Sequence, residues 1–303
     1  MNPEIQAALD SVAQQKELCS YLLQKSPHLQ EQVSGAAINI YRDQIESPLE
    51  FDPRLVEVNV DESTLEKLFS LLSQQWTFCG ETRPHHSVLS SDEYLPNNLN
   101  EASLRALYDS GASEVALLKK LSERAGIDLN SKRHCFELGC GVGRVTLHLA
   151  REFQKVTGAD ISPGNLRHCA AVMDSQKLQN VQLTQLQHVR DLEKLRDFDV
   201  FFSRIVLQHN PPPVQKFILE TILKNLAPGG VALFQTVVGG RGYAYSAQSH
   251  LARSMTNDFE MHGLPVRYIF EIFRKLNYRV LDVFKELAGG FNVASYTFFA
   301  QRD

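Results

Sequence analysis

Apolar residues recur at helical spacing from Pro3 to about Lys25 (Ile5, Leu9, Val12, Leu18, Leu22), and a second helical run follows from about Gln30 to Ile45. Two prolines between Ser47 and Pro53 break the pattern, after which Asp61 or Ser63 can cap a third helix through Leu65, Leu68, Leu71 and Leu72. From Gln75 to Asn100 no period is legible. This stretch holds the single Trp76, the His85-His86 pair, two prolines and Gly80, which predicts a long irregular loop of the kind that often carries function.

Beyond Leu104 the pattern changes to helices alternating with short apolar runs, the signature of a parallel sheet with crossover helices. Helices are expected over about Ser113 to Ala125, Gly143 to Glu152, Pro163 to Gln176, Pro213 to Leu226 and Val266 to Leu276. Strands are expected at His134 to Leu138, Lys155 to Asp160, Val181 to Leu186, Asp199 to Ile205 and Gly230 to Val237. An antiparallel pair, Arg279 to Lys285 and Ser295 to Gln301, closes the chain through Gly289 and Gly290. The expected fold class is thus α/β: a Rossmann-like, mostly parallel seven-stranded sheet with an antiparallel C-terminal strand and an N-terminal helical extension. Residues 1–100 would form a helical cap region and 101–303 the sheet domain.

The chemistry starts where the first strand ends. Cys135-Phe-Glu-Leu-Gly-Cys-Gly-Val-Gly-Arg144 sets an apolar strand directly before a glycine-rich turn, with a helical pattern directly after it. Without side chains at Gly139, Gly141 and Gly143, a ligand can lie against the backbone, and helix N-terminal amides are free to meet its polar groups. The dinucleotide form of this turn would need glycine where Arg144 stands, which argues against a nicotinamide cofactor. Roughly 20 residues further on, Asp160 ends the next strand, where an acidic residue meets ribose hydroxyls. The bland reading of Asp160 is a helix cap before Ser162-Pro163. Asp199 to His209 then reads as a strand running to a polar end, and Leu226-Ala-Pro-Gly-Gly230 as a turn feeding another strand.

Composition narrows the partners. A 43% apolar content over 303 residues supplies a real core, and a net charge of −4 with scattered Lys and Arg leaves no footprint for nucleic acid. Five cysteines without C-x-x-C or zinc spacing read as reduced thiols, and the His85-His86 pair lacks companion ligands, so no metal is expected. The first residues lack an apolar signal region and no stretch suits a membrane helix, so a cytoplasmic protein without membrane insertion is expected. A homodimer through the N-terminal helices stays open.

These residues resemble the class I S-adenosylmethionine-dependent methyltransferases, whose motif reads acidic-x-G-x-G-x-G, over roughly Ser113 to Arg302. The resemblance implies S-adenosylmethionine as cofactor. It assigns its methionine part to Glu137, Gly139, Gly141 and Gly143, its ribose to Asp160 and its adenine to Ile161. His188 and Val189 stand at the adenine edge, where the family often has aspartate, and Ser203 of the fourth strand belongs to the cofactor set. A narrower similarity, to bacterial methyltransferases of surface-polysaccharide and glycolipid biosynthesis, rests on Gly80 to Leu89, Leu207 to Pro212 and Glu260 to Pro265. It implies O-methylation of a small polar, sugar-like acceptor.

For that reaction, His209, His262 and Glu260 are the candidate catalytic residues: either histidine as general base, Glu260 orienting it. The irregular stretch Gly239 to Asn257, with Tyr243, Tyr245 and His250, reads as a segment covering the substrate. Two other readings remain. One is N- or C-methylation, although His209-Asn-Pro-Pro212 lacks the aromatic of nitrogen-methylating motifs. The other is a non-catalytic, cofactor-binding partner protein.

Overall fold

The parallel strands that place the site are buried on both faces, and their residues alternate between two apolar layers. In the computed structural model, which describes residues 51–253, 259–286 and 293–303, strands β1 (His134–Leu138), β2 (Lys155–Asp160), β3 (Val181–Gln185), β4 (Phe198–Ser203), β5 (Leu226–Gly240), β6 (Tyr278–Glu286) and β7 (Val293–Arg302) form one sheet. Its order is β3-β2-β1-β4-β5-β7-β6. β1, β2, β3, β4 and β5 pair in parallel, and β7 inserts antiparallel between β5 and β6. The seven expected strands and the antiparallel ending are therefore present. The expected helices before residue 50, Cys19 and the Gly289-Gly290 link lie outside the described residues.

Period-two alternation sends Phe136, Phe201, Phe234 and Phe298 to one face and Cys135, Val200, Phe202, Leu233 and Phe299 to the other. On the first face the phenylalanine rings run across four strands, with centroids 5.9, 6.1 and 5.3 Å apart in turn. That layer also holds Leu68 and Phe69 of α1 (Glu62–Thr82), helix α6 (Pro212–Asn225) and helix α8 (Val266–Lys275). The second layer is covered by α3 (Glu101–Arg124) and α4 (Thr146–Glu152).

Two elements differ from expectation for identifiable reasons. Asp61 does cap α1, its carboxylate accepting from Thr64 N–H at 2.7 Å, but the helix runs through Trp76 and Gly80 to Thr82 instead of fading at Leu72. A further turn, α2 (Pro84–Val88), follows at once, so much of the expected loop is helical. α3 likewise begins at Glu101, capped by Asn100 with a reciprocal bond to Ser103, where the pattern suggested a start at Ser113. The misleading residue is Gly111, which lies mid-helix: a Cβ there would stand 2.0 Å from the Arg144 carbonyl oxygen. Glycine in that helix is a packing residue, not a stop.

Phe51 to Asp303 form one compact unit, so the helices from Glu62 onward share a body with the sheet. α1 is pressed against the start of α5 (Pro163–Ser175) at a glycine-glycine contact. A Cβ on Gly164 would stand 2.4 Å from Gly80 O, and one on Gly80 would stand 1.9 Å from Ser162 Oγ. This close approach carries α2 over the glycine-rich turn. No helix among the described residues is long and apolar enough to cross a membrane.

Candidate active site

In an open α/β sheet the carboxyl ends of the strands on either side of the order reversal frame a crevice. Here that reversal lies between β1 and β4. A cleft of about 960 Å³, open solvent included, occupies it. Its wall contains Glu137 and Leu138 from β1, Asp160 at the end of β2 and Ile161 after it, Leu186 after β3, and Arg204, Ile205 and Val206 after β4.

The turn after β1 adopts the left-handed conformations that glycine tolerates, with φ of +73°, +54° and +90° at Gly139, Gly141 and Gly143. The three do different work. A Cβ at Gly139 would meet Val206 at 2.3 Å and one at Gly141 would meet Val88 at 2.7 Å, so both face the cleft and its cover. A Cβ at Gly143 would instead stand 2.9 Å from Cys169 Sγ, so this glycine serves the packing of α5 (Pro163–Ser175), away from the cleft wall.

Asp160 is 8% exposed and ties this turn to the next helix. Its Oδ2 accepts from Gly141 N–H and its Oδ1 from Ser162 N–H, both at 2.8 Å. Each carboxylate oxygen keeps a lone pair for a ligand hydroxyl. The helix cap is Ser162, whose hydroxyl accepts from Asn165 N–H, so Asp160 is not spent as a cap. Burial raises its carboxyl above the ordinary carboxylate range. Glu137, 3% exposed, accepts the Thr146 hydroxyl at 2.6 Å, and burial pushes its carboxyl up to about 7.

Other expected cofactor residues stand just behind the wall. Val189 is fully buried in the core, and His188 is exposed at the start of a short 3-10 helix, its N–H donating to Asp191 Oδ2. Leu186 and Leu192 line the cleft at that end instead. Ser203 donates to Leu138 O at 3.2 Å and so joins the ends of β1 and β4.

Arg144 and Arg204 also line the cleft, but their charges are matched. Glu114 lies 3.2 Å from Arg144 and 2.9 Å from Arg204, and Arg204 also pairs with Glu286 at 2.8 Å and donates to Thr297. Removing one member would strand a buried charge. Next to this network Ile205 takes φ +59°, a strained value for a β-branched residue, held by its N–H donating to Gln235 Oε1 at 3.0 Å.

His209 sits in the cleft wall with Trp76, ring centroids 5.3 Å apart, edge to face. Phe259 stacks on Trp76 at 5.5 Å. His209 Nδ1 lies 3.0 Å from the Glu260 carbonyl, which fixes that nitrogen as the N–H donor and leaves Nε2 as the acceptor. Gln208 holds Nε2 with a long contact of 3.3 Å. Burial pushes the ring's pKa down to about 4, so it is neutral at pH 7.

Glu260 and His262 are adjacent to this place without lining the cleft. The Glu260 carboxylate reaches His262 Nε2 at 3.3 Å, so it orients His262, and only its main chain touches His209. The His85-His86 pair is split: His85 is buried against His168, while His86 tilts toward Phe259. Sequence reasoning missed Asn165, Leu186, Leu192 and Arg204 in the cleft, since each carries an ordinary core or surface residue type. The narrow motif Gly80 to Leu89 did carry a signal, in Gly80 and Val88.

Comparison with known proteins agrees with this geometry. Residues 136–230 match the family of the methyltransferase domain. The chain is 29% identical over 188 residues to the ubiquinone biosynthesis O-methyltransferase of Psychrobacter cryohalolentis, covering 61% of this chain and 67% of that protein. It is 28% identical over 122 residues to the carboxy-S-adenosyl-L-methionine synthase of Dichelobacter nodosus, covering 39% and 51%. The chain thus spans about two thirds of the length of these curated relatives at most. It also overlaps a solved S-adenosylmethionine-dependent methyltransferase from Clostridium acetobutylicum, with 16% identity, 64% and 92% coverage and a TM-score of 0.45. Over residues 136–230 the chain thus carries a methyltransferase domain, and its cofactor is S-adenosylmethionine.

Proposed function

We propose that this protein methylates a hydroxyl oxygen of a small polar, sugar-like acceptor, with His209 as the general base. The observation that carries this reading is a neutral imidazole in the wall of the same cleft as Gly139, Gly141 and Asp160, in edge contact with the Trp76 ring. When bound, S-adenosylmethionine supplies an electrophilic methyl carbon. The protein's tasks are then alignment of the acceptor and exclusion of water.

In this reading Asp160 accepts the ribose hydroxyls, Glu137 and the glycine turn hold the methionine part, and Ile161 flanks the adenine. His188 and Val189 border the adenine edge from behind Leu186 and Leu192, and Ser203 keeps β1 and β4 in register beneath the cofactor. Trp76 offers an apolar face to the C–H side of a sugar ring. The acceptor hydroxyl would replace Gln208 at His209 Nε2, and that nitrogen would take the hydroxyl proton as the methyl group passes from sulfur to oxygen. The Glu260 carbonyl holds the ring's other nitrogen, whereas His262, oriented by the Glu260 carboxylate, stands outside the cleft wall.

A phenol is the second acceptor worth testing. Trp76 in the cleft wall would pack against an aromatic ring equally well, and the Psychrobacter relative is named for O-methylation in ubiquinone biosynthesis. Turnover should be assayed with sugar and phenol acceptors and the methylated atom located by NMR. His209→Ala is expected to lower kcat by roughly 10²–10⁴-fold with cofactor binding kept. Unchanged turnover in that variant, or a methyl group found on nitrogen or carbon, contradicts the proposal.

A further inference from the structure

Behind His209, on the side away from the cleft, the fold gathers three metal-ligating side chains that are well separated along the chain. His250 belongs to α7 (Ala247–Leu251), while Glu260 and His262 belong to the segment before α8. One ligand atom from each lies within 4.8 Å of both others. Glu260 Oε2 is 3.3 Å from His262 Nε2 and 3.6 Å from His250 Nδ1. Ligands about 2.1 Å from a tetrahedral zinc ion stand roughly 3.4 Å apart, so two edges of the triangle already have the required length.

We infer that His250, Glu260 and His262 form a binding site for a divalent transition-metal ion of the zinc class. The donor set selects the ion: two imidazoles and one carboxylate suit zinc, cobalt or iron(II), whereas magnesium and calcium take oxygen donors. His250 Nδ1 is a buried nitrogen with no hydrogen-bond partner, although it points at a carboxylate slightly too distant to bond. An ion between them satisfies both groups. The other nitrogen of the His262 ring, Nδ1, lies 3.4 Å from the Tyr243 hydroxyl, the outer support that metal-bound histidines commonly have. The rings of Tyr245 and the two histidines, with centroids 5.2–5.6 Å apart, wall the site, and Arg253 approaches Glu260 Oε1 at 4.0 Å.

The ion has a defined structural consequence. Glu260 offers its carboxylate to the metal and its main-chain carbonyl to His209 Nδ1, and His262 N–H donates to Gln208 O at 2.7 Å. Coordination therefore pins α7 and the 260–262 segment together at the back of His209. The inference is independent of the acceptor's identity.

The test uses the full chain, stripped with a chelator and titrated with Zn²⁺ and separately with Co²⁺. Bound metal is counted after gel filtration, and Co²⁺ is followed by its visible ligand-field bands. One ion per chain, with a rise in Tm, is expected for the parent protein. His250→Ala and Glu260→Gln should each lose the ion, the bands and the Tm response. The His250→Ala variant should keep the parent's metal-free far-UV circular dichroism, which separates loss of the ion from loss of the fold. Failure of the parent chain to bind either ion overturns the inference, as does full retention of metal by either variant.

Discussion

At Glu137 burial and ionisation oppose each other, with a measurable consequence. Burial pushes the carboxyl up to about 7, from an ordinary value near 4.5, despite the hydrogen bond from Thr146. Between those two values the folded state keeps a proton that the unfolded chain releases. This group's contribution to stability is therefore full below the lower value and is lost as pH rises to about 7. The loss is on the order of 3 kcal/mol. Urea unfolding between pH 5 and pH 8 should show that decline in the parent protein and a shallower one in Glu137→Gln. A slope unchanged by the substitution would remove Glu137 as its source. At His209 the corresponding fact is the hydrogen bond from Nδ1 to a main-chain carbonyl, which leaves one defined nitrogen for chemistry.

Elements depend on where chains come close. Gly164 starts α5 against the Gly80 carbonyl, with 2.4 Å available to a Cβ and 2.6 Å to the carbonyl carbon, both backbone atoms that cannot swing aside. Gly164→Ala should destabilise the protein by about 1–3 kcal/mol, lower the melting temperature by several degrees and loosen α2 over Gly141. A melting curve that overlays the parent's would show that α1 and α5 can part at no cost. The strands were legible because short apolar runs between turn residues, alternating with helical patterns, are a strong local signal. β1, its glycine turn and Asp160 accordingly stand where the residues place them. The helical cover was not legible, because Gly80 and Gly111 look like breaks in a helix until the neighbour that needs their missing side chain is known. Nor could spacing reveal that Glu260 serves His262 with its side chain and His209 with its main chain. That division depends on folding, as does the approach of His250.

Across the whole molecule, the sheet's order reversal, the glycine turn and the α1–α2 cover converge on one cleft, and the acceptor candidates share its wall with the cofactor candidates. Asp160 joins them: its two carboxylate oxygens take the amides of Gly141 and Ser162 and face the same space. If this convergence is a cofactor site, its ligand must bind with Asp160 as a principal contact. The decisive measurement is isothermal titration of the purified chain with S-adenosylmethionine and S-adenosylhomocysteine, repeated on Asp160→Ala. The account predicts micromolar-range binding, about −8 kcal/mol, for the parent chain and its loss in a variant whose circular dichroism is unchanged. Equal affinity in parent and variant, or no binding of either ligand by the parent, would contradict it.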